Sequence, residues 1–305
     1  MHFFNSRHWP HLLYQLRLVY KGISQNLPND RPLPPEVDPN EYWPMYGLNN
    51  KVTDLLLQGD IKKNPVGHEN VTSVVVASNR GRVWAVFDNP FAKQGLVDAG
   101  LRPDTAIACA FSYLFRPRQE VKALYAEKWK IMADPSILKI GIQVRLGDRM
   151  FTGSNASPSW ESVEAYFACA FEIEKTRALP GQRVIYYMMS DSLALRRLAK
   201  ARLGDKLLTD VETNTAHVSC NQGTCVPEQQ GLALRYAIGD LITFSMADFH
   251  VYSKKSGFGR IGAWMSLNWH HHYAIDVSNP QKGHRNCGID SYDALKVDAR
   301  TWSGI

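Results

Sequence analysis

The sequence has no long uninterrupted hydrophobic run. Its 305 residues are 45% hydrophobic and 21% charged, which is ordinary for a globular chain with a buried core. The N-terminal stretch, residues 1–22, is interrupted by Arg7, His8, Pro10 and Arg17. It is therefore too polar for a membrane span, and it lacks the apolar segment and small-residue cleavage site of a signal peptide. We expect a soluble chain that meets a membrane only through an anchor outside this sequence.

Two kinds of binding motif are also missing. No dense run of Lys and Arg is interleaved with aromatic residues, so nucleic acid is not expected as the main partner. The spacing GxxxxGK[ST] is absent, which argues against a P-loop NTPase. The formal net charge of +6 suits an anionic small ligand such as a nucleotide diphosphate, but many unrelated proteins share it.

Cysteine is scarce and odd in number, with five in the chain. Cys220 and Cys225 lie in the polar segment SCNQGTC, whose length allows a small disulfide ring. Two free surface thiols are an equally good interpretation. A linked pair would indicate the secretory lumen, and free thiols would favour the cytosol.

Composition predicts four sections of chain. Residues 26–44 are rich in proline and polar residues, as in an extended arm or linker. We therefore expect an extension over 1–45, an N-terminal lobe over 46–135, a C-terminal lobe over 136–280 and a tail over 281–305.

From about residue 46 onwards, short apolar runs alternate with longer helical patterns. This alternation predicts βαβ crossovers and an α/β fold with parallel, Rossmann-like sheets. The predicted strands are 72–77, 82–87, 137–146, 183–190, 206–209, 249–253 and 272–276, and the predicted helices are 104–115, 117–130, 159–175, 192–203, 228–247 and one from about 259.

Ligands of parallel α/β sheets bind outside the carboxyl ends of the strands. The apolar run ILKIGIQVRL, residues 137–146, is polar at its end, where Arg145 is followed shortly by Gly147 and Asp148. An arginine at the end of a buried strand requires an anionic partner, and its planar fork of donors suits a pyrophosphate. A structural ion pair between Arg145 and Asp148 explains the pattern equally well.

Two more strand ends carry polar or glycine-bearing sequence. Asp191 follows the strand at 183–190 and could cap the next helix, with Ser190 or Ser192 competing for that position. Its carboxylate could also accept hydrogen bonds from the edge of a guanine. The segment SGFGR, residues 256–260, places Ser and Gly at a helix start, where backbone N–H groups favour phosphate.

Taken in order, IGIQVRLGD (140–148), SDS (190–192) and DFHVYSKKSGFGRIGAW (248–264) resemble the three donor-binding motifs of the GT-B fucosyltransferase superfamily. That superfamily includes α1,2-, α1,6- and protein O-fucosyltransferases. The resemblance extends over roughly residues 72–275. It implies two Rossmann-like lobes, with the donor, usually GDP-fucose, bound in the C-terminal lobe.

The resemblance also implies roles for particular residues. Arg145 corresponds to the residue that holds the diphosphate and assists catalysis, and Asp191 to the one that reads the guanine. Asp148 would orient Arg145 or touch the donor. The other positions that match the donor-binding motifs are Ser192, Ser253, Ser256, Gly257 and Phe258.

The expected activity is metal-independent, inverting transfer of fucose to a glycan or protein hydroxyl, with no cofactor beyond the donor substrate. The chain contains no Asp-x-Asp, the metal-binding motif of the other main transferase fold. The general base would come from the N-terminal lobe, where Asp88 is one candidate and the segment Asn79, Arg80, Gly81 could face the same cleft. The alternatives are an inactive nucleotide-sugar-binding protein and an α/β protein for another phosphorylated ligand.

Two further features need an explanation from structure. Gln143 replaces the usual histidine of the first motif, although an amide still forms hydrogen bonds. His270, His271 and His272 are consecutive, but no Cys, Asp or Glu at ligand spacing accompanies them, so a metal site is not expected.

Overall fold

A five-stranded, wholly parallel sheet organises the C-terminal part of the chain. The computed structural model describes residues 60, 87–102, 105–147, 158–213, 227–254, 256–268, 270–276 and 287. The chain divides into two compact units, Met1–Asp98 and Ala99–Ile305, and the sheet belongs to the second. The strands are β1 Leu138–Val144, β2 Val184–Ser190, β3 Leu207–Leu208, β4 Phe249–Ser253 and β5 His272–Ile275.

Helices fill the connections between these strands. In the first unit the structure describes α1, Lys93–Asp98. The helices described in the second unit are α2 Ala106–Leu114, α3 Gln119–Met132, α4 Glu164–Arg177, α5 Leu193–Leu203, α6 Pro227–Ser245 and α7 Gly257–Met265, with a short 3-10 turn at Gly204–Lys206. Within the described ranges, no helix is long and apolar enough to cross a membrane.

Both faces of the sheet are covered, which explains the continuous apolar strands. On one face, β1 and β2 residues such as Ile142 and Met188 pack in a cluster with Phe167 and Leu195 of α4 and α5. On the other face, Tyr187 and Met189 of β2 and Tyr252 of β4 pack in a second cluster with residues of α3, α6 and α7: Met132, Phe244 and Ala263. All seven residues of β1 are therefore buried.

A glycine in β1 allows α6 to approach the sheet closely. A Cβ at Gly141 would lie 2.8 Å from the ring of Phe244, nearer than carbon atoms approach without displacement. Any larger residue at position 141 would push helix α6 away from the sheet.

The α/β class and the parallel sheet predicted from the sequence are confirmed. All five strands predicted from residue 137 onwards are present, most of them trimmed at their ends. The helix expected from residue 159 begins at Glu164, because Ser162 and Val163 donate to the carbonyls of Ser159 and Trp160 in preceding turns. The strand expected at 82–87 is wrong at its end, where Phe87 is helical.

Parts of the predicted architecture lie outside the described residues. These are the strand at 72–77, most of the one at 82–87, and therefore the sheet of an N-terminal lobe. The predicted boundaries at residues 45, 135 and 280 stay a prediction.

A disulfide joins Cys169 in α4 to Cys287, across 118 residues of sequence. Its Cα atoms are 5.2 Å apart, within the usual range for such a bridge. The sequence did not predict this pair. The pair that was considered, Cys220 and Cys225, lies outside the described residues.

Candidate functional site

The order of the strands creates a crevice beside β1. The sheet has the order β3-β2-β1-β4-β5, so the chain runs outward on one side of β1 through β2 and β3 and then returns to its other side for β4 and β5. The connections from β1 and β4 therefore leave in opposite directions, and ligands of open α/β sheets bind at such a switch point, outside the carboxyl ends of the strands. Arg145 follows β1 at this point, and Ser253 ends β4.

Ser253 ties the two strand ends together. Its hydroxyl oxygen accepts a hydrogen bond from the backbone N–H of Arg145 at 2.8 Å and lies 2.8 Å from the hydroxyl of Tyr166 in α4. The backbone N–H of Ser253 donates to Oε1 of Gln143 at 3.1 Å. Burial raises the pKa of Tyr166, so this hydroxyl stays protonated near neutral pH. Ser253 therefore holds the backbone N–H of Arg145 and is itself held by Tyr166 and Gln143.

Gln143 also sets the position of helix α7. A Cβ at Gly259, in the first turn of α7, would lie 2.2 Å from Oε1 of Gln143. The helix therefore touches the amide that replaces the histidine of the resembled motif. This amide, which belongs to β1, accepts a hydrogen bond from β4 and packs against α7.

Asp191 anchors the loop that follows β1. Its two carboxylate oxygens accept hydrogen bonds from the backbone N–H groups of Leu146 and Gly147, each at 2.9 Å. Gly147 has φ +100, a left-handed conformation that favours glycine. The carboxylate also lies 3.4 Å from Nε of Arg145.

The exposures within this ion pair differ strongly. The Asp191 side chain is 4% exposed, whereas that of Arg145 is 30% exposed. The pair thus has a buried anion and a cation that reaches solvent. Asp191 is thus one carboxylate partner of Arg145. The pair of Arg145 with Asp148 stays a prediction, because Asp148 lies outside the described residues.

Two serines cap the helices that start at this edge. The hydroxyl of Ser192 accepts from the backbone N–H of Leu195 at 3.2 Å and caps α5. Ser256 accepts from the N–H of Gly259 at 3.2 Å and caps α7. The N-cap of α5 considered for Asp191 is therefore Ser192.

The remaining predicted site residues lie in α7, in the first unit or outside the described residues. Gly257 is buried at the first position of α7, and Phe258 packs, partly buried, against the core cluster around Phe244. Asn79, Arg80 and Gly81 lie outside the described residues. Asp88 is exposed and helical in the first unit, with the side chain of Asn89 accepting hydrogen bonds in the next turn.

Arg260 is a buried arginine near this edge that was not predicted from the sequence. This residue of the first turn of α7 is 3% exposed, and one of its guanidinium nitrogens donates to the carbonyl of Lys254, just after β4. In the segment SGFGR, the serine and glycines indicate a helix start. The sequence does not distinguish a buried arginine at its end from an exposed one. Its burial follows from tertiary packing alone.

The histidines pack among aromatic rings of the sheet. His271 stacks on Phe249 with ring centroids 4.2 Å apart, and His250 meets His272 edge to face at 5.2 Å. Burial lowers the pKa of His250 to about 3 and that of His272 well below its usual value. Among the residues the structure describes, no group of three His, Cys, Asp or Glu side chains could hold a metal ion.

Comparison with known proteins finds a likeness among solved structures only. No protein-family model and no curated protein matches the sequence. Among solved structures, the chain is similar to a mutant of Arabidopsis thaliana FUT1 in complex with GDP, with 16% identity and a TM-score of 0.49. The match covers 70% of this chain but only 45% of that one. At this level of similarity, functional interpretation depends on the residues of the site itself.

Proposed function

We propose that this chain is a glycosyltransferase that binds a nucleotide-sugar donor in the crevice between the carboxyl ends of β1 and β4. The donor proposed is GDP-fucose, because the three motifs that resemble fucosyltransferases meet at this crevice. The acceptor is the hydroxyl of a glycan or a protein. The observation that carries the proposal is the placement of Arg145, whose backbone is fixed and whose side chain reaches solvent at the switch point of the sheet.

Arg145 suits the task of binding a diphosphate. Its backbone N–H is bound to Ser253 and its Nε lies beside Asp191, so little reorganisation is needed when an anion arrives. A guanidinium binds phosphate oxygens through parallel N–H bonds. A preorganised donor of this kind neutralises charge as it develops on a leaving group.

The proposed reaction is a single displacement. The oxygen of the acceptor hydroxyl forms a bond to the anomeric carbon of fucose, and the bond from that carbon to the β-phosphate oxygen breaks. The electron pair leaves with GDP, where Arg145 stabilises the added negative charge. A general base takes the hydroxyl proton, and inversion at the anomeric carbon follows from attack opposite the leaving group.

The other site residues complete the proposed donor site. Helix α7 begins at Gly257, shortly after the carboxyl end of β4, and a helix N-terminus favours phosphate. The guanine contact proposed for Asp191 uses a carboxylate whose two oxygens already accept backbone N–H groups. Asp148, Ser192 and Phe258 are proposed to lie along the donor. No metal or further cofactor takes part in this proposal.

The disulfide between Cys169 and Cys287 supports a location in the secretory pathway, in the ER or Golgi lumen. Disulfides persist in oxidising compartments and are rare in the cytosol. Glycoprotein acceptors are present in the same compartments, which fits the proposed activity.

Binding and turnover with matched variants test the proposal. Calorimetry with GDP, UDP and ADP should give the tightest binding for GDP, and purified protein should release fucose from GDP-fucose. Arg145→Ala should lower turnover about a hundredfold or more, the scale found when one charge-stabilising donor is removed. Arg145→Lys keeps the charge but loses the fork, so it should recover only part of the rate.

Arg183→Ala is the matched control, because Arg183 is exposed directly before β2, at the opposite edge of the sheet. It should leave binding and turnover unchanged. Binding of GDP without any turnover would replace the enzyme by an inactive donor-binding protein. Equal affinity for the three nucleotides would remove the guanine assignment.

A further inference from the structure

Arg260 carries a buried positive charge with little compensation. Arg260 lies at the end of the first turn of α7 and is only 3% exposed. One nitrogen donates to the carbonyl of Lys254, and Nε is buried without a hydrogen-bond partner. No carboxylate of the described residues forms an ion pair with it. Asp276, at the end of β5, pairs with Lys254 at 3.6 Å.

Arg196, whose Nε is also buried without a hydrogen-bond partner, differs from Arg260 because a carboxylate lies beside its guanidinium. It is 1% exposed and donates to the carbonyls of Asp210 and Thr213 at 2.8 and 2.6 Å. The carboxylate of Asp210 lies 3.8 Å from its guanidinium. The buried charge of Arg196 therefore has an anion nearby, and its hydrogen bonds hold the segment after β3 in place.

The position of Arg260 makes the contrast significant. A buried charge without a partner is strongly unfavourable, and a cation in the first turn of a helix adds to the positive end of the helix dipole. Both effects are reversed when an anion binds at the start of α7. A buried, incompletely paired guanidinium and the N-terminus of a nine-residue helix thus favour the same kind of ligand.

Arg260 and Arg145 belong to adjacent strand ends. Arg145 is bound through its N–H to Ser253, and Arg260 through its guanidinium to Lys254, the next residue. The neighbouring strands β1 and β4 are about 4.8 Å apart in a sheet of this kind. The backbone of Arg145 and the guanidinium of Arg260 are thus held by consecutive residues at one edge of the sheet, where two linked phosphate groups offer one anion to each arginine.

We propose that Arg260 is a second anion-binding residue, which binds one phosphate of a diphosphate whose other phosphate contacts Arg145. The ligand class is a compound with two linked phosphates, and its nucleoside part rests on the function proposed above. In the ligand-free protein, the buried charge of Arg260 lowers the free energy of unfolding. Binding of the anionic ligand compensates this charge and restores the lost stability.

The test uses Arg260→Met, which keeps side-chain length and removes the charge. We expect its ligand-free melting temperature to equal or exceed that of the unmodified protein. Its affinity for inorganic pyrophosphate and for GDP, measured by calorimetry, should fall about ten- to a hundredfold, the range for loss of hydrogen bonds to a charged group. Arg260→Lys should retain part of the affinity.

Arg196→Met is the matched control with an equally buried arginine. It should lower the melting temperature clearly, since it leaves the carbonyls of Asp210 and Thr213 without their arginine donor, while the folded protein still binds pyrophosphate normally. Opposite behaviour of the two variants is the expected signature: one loses ligand, the other loses stability.

The possible results separate this proposal from the proposed function. If Arg260→Met binds pyrophosphate and GDP as tightly as the unmodified protein, Arg260 does not bind the ligand. The proposal of fucose transfer does not depend on this result. If pyrophosphate binding depends on Arg260 but no sugar is released, the anion site stands and the transferase proposal fails. If both Arg260→Met and Arg260→Lys are too unstable to fold, Arg260 has the structural role of Arg196 and the proposal is overturned. An unmodified protein that binds neither ligand also overturns it.

Discussion

Replacement of Asp191 by Asn tests how the loop after β1 is held. The carboxylate accepts two backbone N–H groups at 2.9 Å and lies 3.4 Å from Nε of Arg145. An Asn side chain has the same shape but only one acceptor oxygen. Its amide group would face an N–H where it cannot accept, so one backbone donor at Leu146 or Gly147 loses its partner.

The size of the effect follows from these contacts. Loss of a hydrogen bond to a charged group costs about 1.5–3 kcal/mol, and a buried unsatisfied N–H costs a similar amount. Since Asp191 is 4% exposed, water compensates little of this. We expect Asp191→Asn to lower the free energy of unfolding by about 2–4 kcal/mol.

Denaturant unfolding and calorimetry together provide the assay. Asp205→Asn is the control, because Asp205 is exposed on the 3-10 turn before β3 and should change nothing. If the anchor also reads guanine, Asp191→Asn should weaken GDP more than pyrophosphate. If anchoring is its sole role, both ligands should weaken alike. A variant with unaltered stability would refute the inference that Asp191 holds the loop.

Three more predictions concern the whole protein. Fucose transfer should survive excess EDTA, since the proposal has no metal; loss of turnover that Mn²⁺ or Mg²⁺ restores would contradict it. Stability should fall as the pH drops below about 6.5, because His250 stays neutral in the folded state, with a pKa of about 3, while the unfolded chain takes up the proton. Between these pH values, each such histidine lowers the free energy of unfolding by up to about 1.4 kcal/mol per pH unit. Urea unfolding at pH 7.5 and 5.5 should therefore show a smaller loss of stability for His250→Gln than for the unmodified protein. An equal loss would remove His250 as the cause. Replacement of both Cys169 and Cys287 by Ser should cost about 2–4 kcal/mol, measured by non-reducing mass spectrometry and denaturation, and unlinked thiols in secreted material would contradict the disulfide.

Strands that are buried along their whole length could be predicted from the sequence, because they form continuous apolar runs. The run that forms β1 is apolar because helices cover both of its faces, so its position is visible without knowledge of its neighbours. The order of the strands is not visible, because each pairing joins residues far apart in the chain, such as Gln143 and Tyr252. The disulfide between Cys169 and Cys287 was missed for the same reason.

The site could be predicted by type of residue but not by partner. Arg145, Asp191 and Ser256 were picked out because polar groups at strand ends are unusual. The carboxylate that Arg145 pairs with depends on the course of the loop after β1. That course is set in part by the backbone N–H groups of the loop, which donate to Asp191. Arg260 was missed because burial of a charged side chain is a property of the packed structure, and neighbouring sequence does not reveal it.

The most direct test of the central claim is a crystal structure of the protein with GDP bound. We predict that the diphosphate lies between the ends of β1 and β4, with its oxygens within hydrogen-bond distance of the guanidinium group of Arg145. GDP bound elsewhere, with Arg145 contacting Asp191 and no phosphate, would contradict the account.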